Sequence, residues 1–371
     1  VKSRYAAIIL AAGLSTRMKL LKTLLPLGKA TITDHIIATF LNAGVDVLLV
    51  AGYRHDDITA GIKKRDITIV YNPDYEQGMF TSIQAGVRRL QPAHQAFFIN
   101  PVDIPLVRLA TIKRLLEAAT KNPDKIIYPT FAGKRGHPPL IPTTLIPAIM
   151  GWDKNGGLKA VLDSQEKLAL EVPVPDSFIL YDIDTPEDYA DLLERYRSYE
   201  VPTDEECDVI LKDICRVPPD KTKHSLKVAE VAFAIARALD AAGHNVNVEI
   251  VRIAAKLHDI AKGQKKHDAA GGKILRELGF SKVGDIVGVH SNLAEGDLSL
   301  PLEAKIVYLA DKLVEGERLV SLEERYSSTN HRFGLTDETK AIIAERLKVA
   351  QSVKKELEGL LGDRSLEAII S

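Results

Sequence analysis

The chain changes its hydrophobic rhythm near its middle. In the first half short, continuous apolar runs recur: Ala6 to Leu10 (AAIIL), Asp46 to Ala51 (DVLLVA), Ile67 to Tyr71 (ITIVY) and Gln95 to Asn100 (QAFFIN). Runs of this length between polar turns predict strands buried on both faces. Helical periodicity falls between them, over Thr33 to Ala43, Ser82 to Leu90 and Leu109 to Ala119, and again over Tyr189 to Tyr199. Strands alternating with helices predict a three-layer α/β fold with a Rossmann-like, mostly parallel sheet. Prolines and acids then interrupt the pattern at Val201-Pro202-Thr203-Asp204 and at Val217-Pro218-Pro219-Asp220. Beyond them it is almost wholly helical, so the expected domains are 1–199, α/β, and 200–371, all-α.

In the helical half, ionisable residues sit on apolar stripes. His224 aligns with Val228, Val231 and Ile235; His258 with Val251, Ala254 and Ala255; His267 with Ile274 and Leu278; His290 with Val283, Ile286 and Val287; Asp311 with Val307 and Val314. Spacings of three, four and seven share one helix face. A lone histidine there is more often a satisfied core residue. Four with a buried aspartate would each need a partner, and a shared metal satisfies them together. Nitrogen and carboxylate ligands suit Fe, Mn, Zn or Co. The tail, Asp337 to Gly359, reads as an amphipathic helix packed on this core, with a homodimer contact as the alternative.

In the first half the chemistry follows the strands, where open α/β sheets bind ligands. After Leu10 comes a small-residue loop, Ala11-Ala12-Gly13-Leu14-Ser15-Thr16, and then the cations Arg17 and Lys22. Such a loop lets backbone N–H groups approach phosphate oxygens while the cations neutralise charge. The bland alternative is a tight strand-to-helix turn with two solvated charges. Neither a P-loop nor a dinucleotide fingerprint is present. Asp103, in Pro101-Val102-Asp103-Ile104-Pro105, follows the QAFFIN run and is placed to hold Mg²⁺, or else to cap a turn. Asp182 and Asp184 precede a Thr-Pro-Glu-Asp helix start and offer a second ligand, with Asp182 preferred.

Composition narrows the classes. Over 371 residues the hydrophobic content is 46%, the charged content 27% and the formal net charge −1. This gives no electrostatic reason to expect a nucleic-acid or membrane-surface partner. Two cysteines, Cys207 and Cys215, have neither disulfide-framework nor zinc spacing. The opening apolar run is too short for a signal peptide and no run reaches membrane-spanning length, so a cytoplasmic enzyme is expected.

The whole segment LAAG-x-S-x-R-M, then Lys22, then LLPLG resembles the signature loop of MobA-like nucleotidyltransferases, in particular the molybdopterin cytidylyltransferases. Lys19 stands where that family usually has Gly. The resemblance extends over about residues 4–195. It takes in Asn72-Pro73-Asp74-Tyr75-Glu76-Gln77-Gly78-Met79 with Thr81-Ser82, the Asp103 turn, and Gly133-Lys134-Arg135-Gly136-His137-Pro138. It implies a nucleotide site at Leu10, Ala11, Ala12, Gly13, Ser15, Arg17, Lys22, Gly78 and Ser82. It also implies Mg²⁺ on Asp103 and Asp182, and an acceptor side at Gly136, His137 and Pro138, where Lys134 and Arg135 are candidates to meet an anion. Ala12 goes with cytidine nucleotides. The implied reaction is nucleotidyl transfer from CTP or another NTP to molybdopterin, with a sugar or alditol phosphate as the alternative acceptor.

The order His224, His258-Asp259, Asp311 resembles the HD-domain metal-dependent phosphohydrolases. The resemblance implies that Lys262 reaches substrate phosphate and that His267 and His290 ligate a second ion. Hydrolysis of a phosphate ester or anhydride is the implied activity, and a nucleotide-sensing, regulatory HD domain the alternative.

Overall fold

The computed structural model describes residues 3–13, 21–63, 66–153, 155–291, 300–333, 336–362 and 364–370. The chain divides into two compact units, Val1–Tyr199 and Glu200–Ser371.

The first unit is built on an eight-stranded, mostly parallel sheet. Its strands are β1 (Tyr5–Ala11), β2 (Asp46–Ala51), β3 (Thr68–Tyr71), β4 (Ala96–Pro101), β5 (Ile126–Phe131), β6 (Lys134–Arg135), β7 (Leu140–Pro142) and β8 (Ala169–Pro173). The order is β8-β5-β7-β4-β1-β2-β3, with β6 paired to β5. β1 lies between β2 and β4, both parallel to it, and Ile8 is in register with Leu48 and Ile99. Both faces of β1 are covered, so Ala6 to Ile9 are fully buried and the run reads as continuous apolar sequence. Ala6, Ile8 and Leu10 pack with Ile83 and Val87 of α2 (Met79–Val87). On β4 Phe98 meets Phe40 of α1 (Ile32–Asn42), their ring centroids 5.3 Å apart. α3 (Leu109–Lys121) and α4 (Pro186–Arg197) complete the helices used below.

Strands β5, β7 and β8 lie outside the expected set. β5 carries Pro129 in its interior, a residue that argues against a strand because it lacks an N–H donor. β7 runs antiparallel to both β4 and β5, and so interrupts an otherwise parallel sheet.

In the second unit the long helix α5 (Pro219–Ala241) packs with α6 (Val248–Leu257), α7 (His267–Glu277), α8 (Ser281–Val287) and α9 (Leu302–Lys312) around one core. The tail helix α10 (Asp337–Leu360) buries Ile343, Val349, Ala350, Val353 and Leu357 in that core. A hairpin, β9 (Val314–Glu315) and β10 (Arg318–Leu319), follows α9. Two expectations need correction. His258 and His290 are not within their helices: α6 ends at Leu257 and α8 at Val287. Both instead turn back at the helix end, each ring held by the carbonyl three residues earlier, Ala255 and Val287.

Candidate functional sites

The first site forms where β1 and β4 end side by side. Leu10 is in register with Pro101, and the Val102 N–H donates to the Leu10 carbonyl at 3.1 Å. The loops that follow therefore face one cleft of about 350 Å³, lined by Leu10, Ala11, Ala12, Gly13, Lys22, Gly78, Ser82 and Asp103. Ser15 and Arg17 lie outside the described residues.

Lys22 is buried, donating to the Ile183 carbonyl at 2.5 Å and to Asp184 Oδ1 at 2.8 Å. The Ile183 N–H donates to the Asp103 carbonyl at 3.0 Å, which stitches the acidic 182–184 segment to the Asp103 turn. Burial raises the Asp103 pKa, Lys22 opposes the rise, and Asp184 and Asp182 add to it. A carboxylate disfavoured by burial and by two acidic neighbours is a ready ligand for a hard cation, so this donor set fits Mg²⁺. Asp182 is exposed and does not line the cleft.

Asn72 organises the other wall. Its buried amide Nδ2 donates to Ser82 Oγ at 2.9 Å and to Thr81 Oγ1 at 3.0 Å. Gly78 precedes α2 at φ +110°, where an L side chain is strained. Tyr75, Glu76 and Met79, from the segment that carries the resemblance, line the cleft as well, as does Thr23, which was not singled out from sequence. Tyr75 reaches its place because Gly52 makes room: a Cβ there would sit 2.6 Å from Tyr75 Cβ. Only a long-range contact carries that signal.

Gly136, His137 and Pro138 do not line the cleft. A Cβ on Gly136 would lie 2.4 Å from the Ile179 carbonyl oxygen, and the His137 N–H donates to that same oxygen at 2.8 Å. His137 is largely buried, which lowers its pKa, and its Nδ1 is buried without a hydrogen-bond partner among the described residues. Arg135 is not available to an acceptor. It makes contacts of 2.6 Å to Glu166 and 2.8 Å to Glu171 and lies over the Tyr128 ring.

The second site brings together all six of its sequence candidates. His224 Nε2 lies 3.3 Å from Asp311 Oδ1, and His258 Nε2 lies 3.5 Å from both Asp311 Oδ1 and Asp259 Oδ2. The other Asp259 oxygen faces His267 Nε2 at 3.4 Å and His290 Nε2 at 3.7 Å. Lys262 Nζ stands 3.0 Å from Asp259 Oδ2. Asp259 is thus shared by two candidate ligand groups, His224/His258/Asp259 and Asp259/His267/His290.

The tautomers test whether this centre fits a metal. The Nδ1 atoms of His224, His258 and His290 meet the carbonyls of Gly316, Ala255 and Val287 at 3.0, 2.8 and 2.7 Å. A carbonyl only accepts, so each Nδ1 carries the hydrogen, and in a neutral ring Nε2 presents a lone pair to the centre. Lone pairs aimed at carboxylates repel unless positive charge lies between them. Among the described residues His258 Nε2 is buried with no hydrogen-bond partner. Burial lowers the His258 pKa, but Asp259 and Asp311 outweigh it and raise it to about 9, so the pocket calls for a cation. Burial opposes ionisation of Asp259, yet His258 and His290 hold its carboxyl far below the usual range. The donor set fits one or two divalent transition ions.

Comparison with known proteins accords with both geometries. Residues 7–168 match the MobA-like NTP transferase domain and residues 222–315 the HD domain. The molybdenum cofactor cytidylyltransferase of Escherichia coli K12 is 34% identical over 191 residues, 51% of this chain and 95% of the relative. The chain belongs to the MobA-like NTP transferase family. A Methanocaldococcus jannaschii protein, MJ0778, is 32% identical over 34% of this chain and 83% of its own. The solved structure of Rv0371c from Mycobacterium tuberculosis H37Rv covers 52% of this chain and 99% of that one, at 25% identity and a TM-score of 0.47. The chain is therefore a MobA-like nucleotidyltransferase domain followed by an HD domain, and both domains support an enzyme. Among the described residues no helix is long and apolar enough to cross a membrane.

Proposed function

We propose that the chain is bifunctional: residues 1–199 transfer a cytidylyl group from CTP to a molybdopterin-type phosphorylated acceptor, and residues 200–371 hydrolyse a phosphate ester or anhydride. For the transferase, the supporting observation is the meeting of the Leu10 to Gly13 loop with Asp103 and Lys22 in one cleft. Backbone amides of the loop and Lys22 take the triphosphate. Asp103, with a further carboxylate from Asp182 or Asp184, would hold Mg²⁺, which would supply charge neutralisation at the α-phosphate. An acceptor phosphate oxygen attacks the α-phosphorus as the bond to pyrophosphate breaks. Positioning and electrostatics carry such a step without a covalent enzyme intermediate.

For the hydrolase, the supporting observation is that Asp259 faces His258 on one oxygen and His267 and His290 on the other. His224, His258, Asp259 and Asp311 would hold one divalent ion and Asp259, His267 and His290 a second. Such ions acidify bound water and screen phosphate oxygens. Lys262, 3.0 Å from Asp259 Oδ2, would meet an oxygen of the substrate phosphate. Water oxygen bonds to phosphorus, the ester or anhydride P–O bond breaks, and the leaving oxygen takes a proton.

The experiment is a panel of CTP, GTP, ATP and UTP with molybdopterin as acceptor, read by pyrophosphate release. CTP-dependent release only when molybdopterin is added supports the reading. Release with a sugar phosphate and none with molybdopterin refutes the acceptor.

A further inference from the structure

A cavity of about 980 Å³ opens onto the second centre, with His224 and Asp259 in its wall. Ligand pockets run from roughly 300 to 1,000 Å³, so this one has room for a nucleotide-sized molecule well beyond a single phosphate. Outside the ligand cluster its wall carries five cations, Lys221, Lys223, Lys262, Arg318 and Arg325, against three carboxylates. Lys262 touches the cluster, at Asp259. Lys223 and Arg318 are set elsewhere on the rim, 62% and 72% exposed, in loose pairs with Glu317 at 3.5 Å and Glu324 at 3.8 Å. Exposed pairs of that length contribute little, so an incoming anion exchanges with them at small cost.

The β9–β10 turn connects these cations to the centre. Gly316, at φ +63°, holds His224 Nδ1 on its carbonyl, and Arg318 follows two residues later on β10. His224 itself is one residue past Lys223 on α5. The backbone positions of two rim cations are therefore tied, through one candidate ligand histidine, to the cluster.

We infer that Lys223 and Arg318 form a second anion subsite, and that the hydrolase substrate is an organic diphosphate whose distal phosphate they bind. This rests on the hydrolase reading and names its substrate class. Water oxygen bonds to the phosphorus at the centre, the P–O–P bridge breaks, and the bridging oxygen leaves with the second phosphate and takes a proton. That class is also what the proposed transfer makes, since joining a nucleotidyl group to a phosphorylated acceptor creates a P–O–P bridge.

The test uses the full chain loaded with Mn²⁺ and two substrates, CDP and para-nitrophenyl phosphate. Arg318→Ala and Lys223→Ala should each raise KM for CDP about tenfold and leave kcat and KM for para-nitrophenyl phosphate within twofold. Equal losses on both substrates, or an unchanged KM for CDP, overturn the subsite. Calorimetric binding of the methylene-bridged CDP analogue gives a readout independent of turnover. If neither substrate is hydrolysed, the hydrolase reading fails. The subsite then stands if Arg318→Ala weakens analogue binding about tenfold, and falls if binding is unchanged.

Discussion

His224 and Asp311 lie 87 positions apart in the chain, yet His224 Nε2 stands 3.3 Å from Asp311 Oδ1. Each is on a helix, α5 and α9, and the pair spans the core between them. Removing Asp311 removes a carboxylate but leaves His258 Nε2 buried and facing one aspartate fewer. Asp311→Ala should lower the bound transition metal by at least half, measured by elemental analysis, and cut para-nitrophenyl phosphate hydrolysis at least a hundredfold. Full metal content with full activity would remove Asp311 from the centre.

In the first unit, Asp103→Ala should abolish Mg²⁺-dependent pyrophosphate release and leave the circular dichroism unchanged. Burial raises its pKa over the opposing pull of Lys22, so the ionised side chain does not stabilise the fold and its loss should leave the structure in place. Retained Mg²⁺-dependent release would show that the ion sits elsewhere.

Gly136→Ala tests the close approach of two backbone segments. The new Cβ meets a carbonyl oxygen at 2.4 Å, an atom that moves only with its chain. Forcing a methyl into a packed site costs about 1–3 kcal/mol. The expected result is a urea midpoint lowered accordingly for the first unit, with hydrolysis by the second unit unaffected.

A pH effect follows from Asp204, which pairs with Arg252 and Lys256. The Arg252 hydrogen bond, against some burial and helped by Lys256, lowers its pKa to about 2. A depressed folded pKa means stability that is present above the unfolded value, near 4, and lost as pH falls toward 2. The carboxylate is more than half exposed, so solvent screening keeps the contribution to about 1 kcal/mol. Asp204→Asn should lower the urea midpoint at pH 7, and the gap from the unaltered chain should narrow at pH 3. A gap that widens on acidification would reverse the sign.

Thiol reactivity separates the two cysteines. Burial pushes the Cys207 thiol pKa far above its ordinary value, while Cys215 is only half buried. A disulfide reagent at pH 8 should titrate one thiol quickly in the native chain and the second only in denaturant.

Much of both sites was legible in the chain. The continuous apolar runs at Ala6 and Gln95 gave strands because both faces of β1 and β4 are covered, and a strand buried on both sides needs no alternation. The stripes marked His224 and Asp311 because a helix repeats its face every three or four residues. Where the chain leaves the helix the same logic misplaced His258 and His290, which are fixed by a carbonyl three residues back. Arg135 was offered to an acceptor because sequence shows its charge but not Glu166 and Glu171, which lie more than thirty residues away and satisfy it.

The sequence alone determined the two-part architecture, the residue types at each centre and their order, because periodicity and turn chemistry are local properties. The tertiary structure decided which oxygen of Asp259 faces which histidine, which ring nitrogen is left to point inward, that Lys22 is paired with Asp184, and that Arg318 shares a cavity with His224. Those depend on strand register and helix packing, which bring together groups with no local signal of one another, and on carbonyls whose positions exist only once the chain has folded.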